Sequence, residues 1–264
     1  MSVQSRVPVL SYSFGAYVVT ADGEEAILRI GVPNSELWTE IEALRLFQGG
    51  PIVDLIEADR RLGALLLRRV VPGIPLSTVE GDEEATEIAA HLICELPVPE
   101  PSDHAFPTID HWALAFDGLR ARFDGKTGPL PGRMVQKAEW LLRDLQASRP
   151  GRMLLHGDLH HGNILSGGED RWVAIDPKGV IGDPAYEAAR LQHNPIPRFL
   201  SMDRPRRVAQ RRVEILASIL REDCSRLLAW AFFDAVLAAC WSIEDDGDDW
   251  QYFLACAELL DEMV

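Results

Sequence analysis

At 264 residues, 47% apolar and 25% charged, the chain has ordinary globular composition and enough length to bury a core as one large or two modest domains. A formal net charge of −15 argues against general nucleic-acid binding, which needs an excess of cations for phosphate, and suits a cationic substrate drawn to an acidic cleft. The longest apolar run, 227–241, is broken by Asp234 and falls short of the roughly 20 residues of a membrane span; no secretory apolar segment is visible near the N-terminus. Cys94, Cys224, Cys240 and Cys256 lack paired spacing and read as reduced thiols packed in a cytosolic core, so the expected location is cytoplasmic.

In chain order, the first 75 residues read mostly as strand. Segments 11–20 and 25–30 flank Ala21-Asp22-Gly23-Glu24, whose Asp-Gly pair signals a hairpin turn. Asn34 or Ser35 is placed to cap a helix carrying Leu37, Ile41, Leu44 and Phe47 on one face, and Gly49-Gly50 stops it. Two short strands follow at 52–58 and 64–71, joined by Asp59-Arg60-Arg61, before the connector Pro72-Gly73-Ile74-Pro75. Beyond it the periodicity turns helical over 82–96, 108–123, 131–148, 184–192, 205–220, 223–243 and 248–263, with a proline-rich loop at 97–107. This order predicts an α+β fold of two lobes: a small β-rich lobe over 1–75 and a larger, mainly helical one over 76–264.

The most informative stretch is 155–165, Leu-His-Gly-Asp-Leu-His-His-Gly-Asn-Ile-Leu, followed by Val173-Ala174-Ile175-Asp176-Pro177-Lys178-Gly179. Two short apolar strands flank a polar turn, and each ends at a carboxylate. Asp158 is suited to orient and deprotonate a hydroxyl, while Asn163 and Asp176 offer the hard oxygens that magnesium prefers alongside nucleotide phosphates. A zinc site at His156-x-Asp158-x-His160 is the competing reading; zinc wants three or four ligands, and His91, His104, His111 and His193 show no ligand spacing. Arg204, Arg206, Arg207, Arg211 and Arg212 form a basic cluster, read either as a solvated helix start with carboxylate partners or as a phosphate-binding patch.

His156-x-Asp158-x-x-x-x-Asn163 with a strand and Asp176 resembles the catalytic and metal-binding loops of the protein-kinase-like superfamily. The form His-Gly-Asp-Leu-His-x-Gly-Asn, together with Ala174-Ile175-Asp176-Pro177-Lys178-Gly179 and Gly182-Asp183-Pro184, is similar to the aminoglycoside phosphotransferases, and within them to the streptomycin 6-phosphotransferase and hydroxyurea-resistance kinase group. The resemblance implies a bilobal kinase-like fold and transfer of the γ-phosphoryl group of ATP, with magnesium, to a hydroxyl of a small polar or cationic molecule, streptomycin first. A small-metabolite kinase acting on a sugar or choline-like molecule, or a catalytically weak nucleotide-binding relative, are the alternatives.

The resemblance also assigns roles by position. His156 braces the loop, and Asp183 anchors the segment after the metal site. Arg29 stands where the family carries a phosphate-clamping lysine, and Glu40 matches its helix partner. The planar guanidinium does not replace an ammonium without moving the geometry. The backbone around Arg69 and Val70 would meet the nucleotide base, and Lys178 would reach phosphate or pair with a carboxylate. Glu187 and the run 244–249 are candidate carboxylates for a cationic acceptor, the run reading otherwise as a solvated helix–helix loop. One departure concerns the family's further strand and turn over the phosphates. Only ten residues precede Ser11, and no Gly-x-Gly-x-x-Gly exists, so Ser11, Ser13 and Gly15 are the small residues available there. The β-rich lobe is therefore expected to be shortened, with either a minimal lid or a coding sequence that starts late.

Overall fold

The computed structural model describes residues 1–7, 14–148, 151–169 and 171–264. Its N-terminal lobe is an antiparallel sheet of β1 (Ser2–Arg6), β2 (Phe14–Val19), β3 (Glu25–Ile30), β4 (Leu55–Asp59) and β5 (Ala64–Arg68), in the order β1-β2-β3-β5-β4. The β2–β3 hairpin closes where the Asp-Gly pair predicts, with the Thr20 amide donating to the Glu24 carbonyl at 2.9 Å. β1 supplies the further strand that the sequence did not reveal. All five of its residues are exposed, so it is held by its backbone ladder to β2 and carries no apolar alternation. Ser11 and Ser13 lie outside the described residues, while Gly15 sits in β2 directly across from Arg29.

Helix α1 (Ser35–Leu46) packs beneath this sheet. Asn34 caps it through its side-chain oxygen, which accepts from the Leu37 amide at 2.9 Å. Leu37, Ile41, Leu44 and Phe47 are buried as their spacing predicts, and they join Leu65 and Leu67 in the main core. Ala16, Val18 and Ala26 form a second, small cluster on the sheet.

The C-terminal lobe is built on α2 (Asp82–Glu95), α3 (Ile109–Trp112), α4 (Ala115–Arg122), α5 (Gly132–Ala147), α6 (Arg198–Ser201), α7 (Pro205–Leu220), α8 (Cys224–Glu244) and α9 (Trp250–Asp261). The helix expected over 108–123 divides at Ala113-Leu114 into α3 and α4, and 184–193 coils as a 3-10 helix rather than an α-helix. α8 runs through the centre of the lobe. By length and hydropathy it would pass for a membrane span, yet 78% of its apolar window is buried inside the protein, and Asp234 lies at its middle. All four cysteines are free; Cys240 and Cys256 are buried as expected, whereas Cys94 and Cys224 are exposed. Three of the five clustered arginines are partnered by carboxylates: Arg206 with Glu262, Arg211 with Glu83 and Glu214, and buried Arg212 with Asp82.

Between the lobes lie β6 (Val98–Pro99), β7 (Met153–Leu155), β8 (Ile164–Ser166), β9 (Trp172–Ala174) and β10 (Val180–Gly182). β8 and β9 form a hairpin, and β7 pairs with both β6 and β10. The connector is stitched to β8. The Gly73 amide donates to the Ser166 carbonyl at 2.9 Å, and the Ser166 amide returns a bond to the Ile74 carbonyl at 2.9 Å. Pro51 and Val53 bond in the same way to Ala174 of β9, at 2.8 and 2.9 Å. The fold therefore sets the β7–β8 and β9–β10 turns along the cleft between the lobes.

Candidate active site

The turn from β7 to β8 carries His156 through Asn163. His156 is fully buried, and both its ring nitrogens serve the backbone. Nε2 donates to the Ile175 carbonyl at 2.8 Å, and Nδ1 accepts from the Asp158 amide at 3.2 Å. Burial holds this imidazole down at about 4, so it stays neutral. Its carbonyl accepts from the amides of Lys178 and Gly179 at 2.8 and 3.2 Å. His156 thus cross-braces the two turns. With both nitrogens committed, it has none to give a zinc ion, and His160 likewise spends Nδ1 on the Gly162 amide at 3.0 Å.

Asp158 projects from the loop, partly exposed. Asn163 closes the turn beneath it: its Nδ2 donates to the Asp158 carbonyl at 2.9 Å, and its own carbonyl accepts from the Ile175 amide at 2.9 Å. This leaves the Asn163 side-chain oxygen as the free acceptor of the amide. Asp176 follows β9 in the left-handed region, at φ +65°, with a carboxylate 43% exposed. Arg29 of β3 reaches down and pairs at once with Asp176 and with Glu40 of α1. Burial works against the Arg29 charge, but Glu40 and Asp176 outweigh it and raise its pKa. The same burial pushes the Glu40 carboxyl up to about 7, offset only in part by Arg29. Lys178 pairs with Glu36 at the start of α1.

The structure thus brings Asp158, Asn163, Asp176, Lys178, Arg29 and Glu40 to one cleft. Arg69 and Val70 lie just after β5 where the chain enters the connector. Arg69 pairs with Glu25 at 3.3 Å and covers the Tyr17 ring, while Val70 packs on the core.

The two acidic candidates for a cationic acceptor sit differently. Glu187 does not face a cleft: it is buried under the β7–β8 turn, accepting from the His156 and Gly157 amides at 2.6 and 3.0 Å. Burial raises its carboxyl to about 7 against the pull of those amides. The run 244–249 forms the α8–α9 turn, where Arg122 caps the Ile243 carbonyl at 2.6 Å and pairs with Asp246. Asp183 is an anchor: it caps the 3-10 segment at the Ala185 amide, 3.0 Å away, and accepts from Arg226 and from Trp230 Nε1.

The sequence reading missed Arg190. Its guanidinium lies 3.5 Å from the Asp158 carboxylate and 3.5 Å from Asp234. The contact joins segments 32 residues apart, and no local pattern announces it.

The donor set offered by Asn163 and Asp176, one amide oxygen and one carboxylate, is hard and anionic, and it fits magnesium. Strand-lobe arginine and helix glutamate above, and paired turns bearing an aspartate and then an Asn/Asp oxygen pair below, define a bilobal kinase-like phosphotransferase with ATP as donor and an alcohol group as acceptor. Solved structures share the architecture. The choline kinase LicA from Streptococcus pneumoniae superposes with a TM-score of 0.70 at 14% identity, covering 99% of this chain and 94% of that one. The aminoglycoside phosphotransferase APH(4)-Ia, in a ternary complex with ADP and hygromycin B, gives 0.65 at 16% identity, covering 98% and 93%.

The chain belongs to the aminoglycoside/hydroxyurea antibiotic resistance kinase family, whose model matches residues 3–247. It is 29% identical over 235 residues to a streptomycin 6-kinase of Streptomyces glaucescens, covering 86% of this chain and 74% of the relative. A hydroxyurea phosphotransferase of Kitasatospora aureofaciens is 35% identical over 243 residues, covering 86% and 65%.

Proposed function

We propose that the protein, acting in the cytoplasm, transfers the γ-phosphoryl group of ATP to a hydroxyl of a small polar acceptor, with a streptomycin-type aminoglycoside as the first candidate. One observation carries the reading: Asp158, Asn163 and Asp176 are joined through the loop backbone, and Asp176 meets the Arg29–Glu40 pair from the opposite lobe. In this reading Asp158 orients the acceptor hydroxyl and takes its proton as the oxygen bonds to the γ-phosphorus. The bond from that phosphorus to the bridging oxygen breaks, and ADP leaves. Magnesium, held by Asn163 and Asp176, would neutralise phosphate charge. Arg29 contacts the phosphates, the Arg69–Val70 backbone meets the base, and Lys178 reaches phosphate on leaving Glu36. The streptomycin preference rests on the named relatives and on the net charge of −15, which favours approach of guanidinium groups.

Arg29 engaged with Asp176 also favours a second reading, a catalytically weak nucleotide binder whose clamp occupies the metal-ligating carboxylate. An ATP-consumption screen with streptomycin, other aminoglycosides, hydroxyurea and choline, with magnesium present and absent, separates the two. The enzyme gives magnesium-dependent turnover and an acceptor heavier by one phosphoryl group. Nucleotide binding with no turnover on any acceptor supports the weak relative.

A further inference from the structure

Helix α8 carries one ionised group, Asp234, at the middle of its long buried apolar run. A buried carboxylate is costly unless it is paired and hydrogen-bonded, and even a paired one is a poor source of stability. Asp234 is fully buried and accepts from the Tyr186 hydroxyl and from His193 Nε2, the latter at 2.7 Å. Its remaining neighbour is Arg190. Burial alone would raise the Asp234 carboxyl, but Arg190 and those donors hold it at about 2.

Arg190 is held by charge and packing, its buried Nε making no hydrogen bond among the described residues. Nε lies 3.5 Å from Asp234, the guanidinium sits 5.3 Å over the Trp241 ring, and the Arg190 carbonyl accepts from Asn194 Nδ2 at 2.9 Å. Trp241 lies seven residues beyond Asp234, hence two turns along the same face of α8. What this grip presents to the cleft is the other edge of the guanidinium, 3.5 Å from Asp158.

We infer that Arg190 is a positioning residue for Asp158, and that Asp234 lies buried in α8 to hold Arg190. The inference rests on the proposed phosphotransferase reading, in which Asp158 orients the acceptor. What Arg190 supplies to Asp158 is position. Phosphoryl transfer proceeds mostly by alignment and charge neutralisation, and a displacement of about 1 Å in an aligning group costs on the order of a hundredfold in rate. A guanidinium lying over an indole and ion-paired to a buried, hydrogen-bonded carboxylate sets the direction of the Asp158 side chain.

The test uses Arg190→Gln, Arg190→Lys, Asp234→Asn and Asp158→Asn, with Arg190→Gln also made in the Asp158→Asn background. Turnover is measured with magnesium-ATP plus streptomycin and with magnesium-ATP alone, where water is the acceptor; thermal midpoints report the folded fraction. Arg190→Gln and Asp234→Asn should lower kcat about ten- to a hundredfold with KM for ATP within about twofold of wild type. Arg190→Lys should recover part of the loss, and Arg190→Gln should cost nothing further once Asp158 is Asn, because it acts through that side chain. Wild-type kcat in Arg190→Gln overturns the inference, as does an equal loss in the Asp158→Asn background or losses that follow only the folded fraction. Undiminished turnover in Asp158→Asn would instead sink the phosphotransferase reading of Asp158, and the positioning role with it.

Discussion

Gly157→Ala is a sharp probe of how tightly the catalytic loop is set. Gly157 has φ +79°, a region that costs a residue with a side chain about 1–2 kcal/mol. A Cβ there would lie 2.8 Å from Trp112 Cη2 and 2.8 Å from Val180 Cγ1; Val180 is fully buried, and the half-buried Trp112 ring packs edge-on against Tyr186 and Trp241. Overpacking of this kind costs about 1–3 kcal/mol, so the total is about 2–5 kcal/mol unless the loop moves to avoid it. If it moves, the Gly157 amide leaves Glu187 and Asp158 shifts with it, which predicts a fall in kcat of about a hundredfold. Gly125→Ala is the control. Its φ of +81° carries the same backbone penalty, but nothing lies within 4 Å of the added Cβ. Urea unfolding of both variants at pH 7.5, with kcat measured beside it, isolates the packing term. Gly157→Ala as stable as Gly125→Ala and with unchanged kcat would refute the argument; lost stability with full kcat would show that the loop backbone does not set Asp158.

Other expectations are as direct. Asp158→Ala should abolish phosphoryl transfer while leaving nucleotide binding and the thermal midpoint nearly intact, whereas Asp176→Ala should weaken magnesium-ATP binding itself, both read by calorimetry. Arg29→Lys should preserve or raise nucleotide affinity, and Arg29→Ala should lower it about tenfold or more, the worth of a charge-assisted contact of about 1.5–3 kcal/mol; three equal affinities would remove Arg29 and Glu40 from the site. Stability should respond to acid in two stages. His156 at about 4 and His161 at about 3, against 6.5 unfolded, both refuse protons that the unfolded chain takes, so stability is lost as pH falls below 6.5. Glu40 and Glu187, raised by burial to about 7 from 4.5, gain over the same range and largely offset this. Below about 4.5 only losses remain, including that of Asp234. The urea midpoint should change little from pH 6.5 to 4.5 and then drop steeply; a steep fall beginning at 6.5 in the wild type contradicts this balance.

The sequence spoke most clearly where function or burial leaves a local periodic mark. α1, α2, α5 and α7 lie within a residue or two of their predicted bounds because each carries an apolar stripe at helical spacing. β1 escaped because a Ser-Val-Gln-Ser-Arg edge strand buries nothing and has no alternation to read. Segment 184–193 has helical composition, but Asp183 and Glu187 tie it to Trp230 and to the catalytic loop, and tertiary bonds of that kind leave no periodic trace. In the site, the spacing of Asp158, Asn163 and Asp176 marked residues that the fold brings to one cleft. It left Glu187 on the wrong side of the loop, since a carboxylate that accepts backbone amides looks the same in sequence as one that awaits a cationic substrate. Tyr186, Arg190, His193 and Asp234 were invisible as a group because their contacts span 41 to 48 residues and depend on how α8 is threaded.

Ala174 pairs with Ile164 across the β8–β9 hairpin and exchanges backbone bonds with Pro51 and Val53. With the bonds of Ser166 to Gly73 and Ile74, it forms a seam in which both lobes share one floor. A hinge confined to 72–75 would break these bonds, because the chain on both sides of the connector is tied to the same β8–β9 hairpin. Arg29 stands on β3 above this floor, and Asp176, two residues past Ala174, lies at its edge. Their ion pair adds a side-chain tie between the lobes to the backbone seam below it.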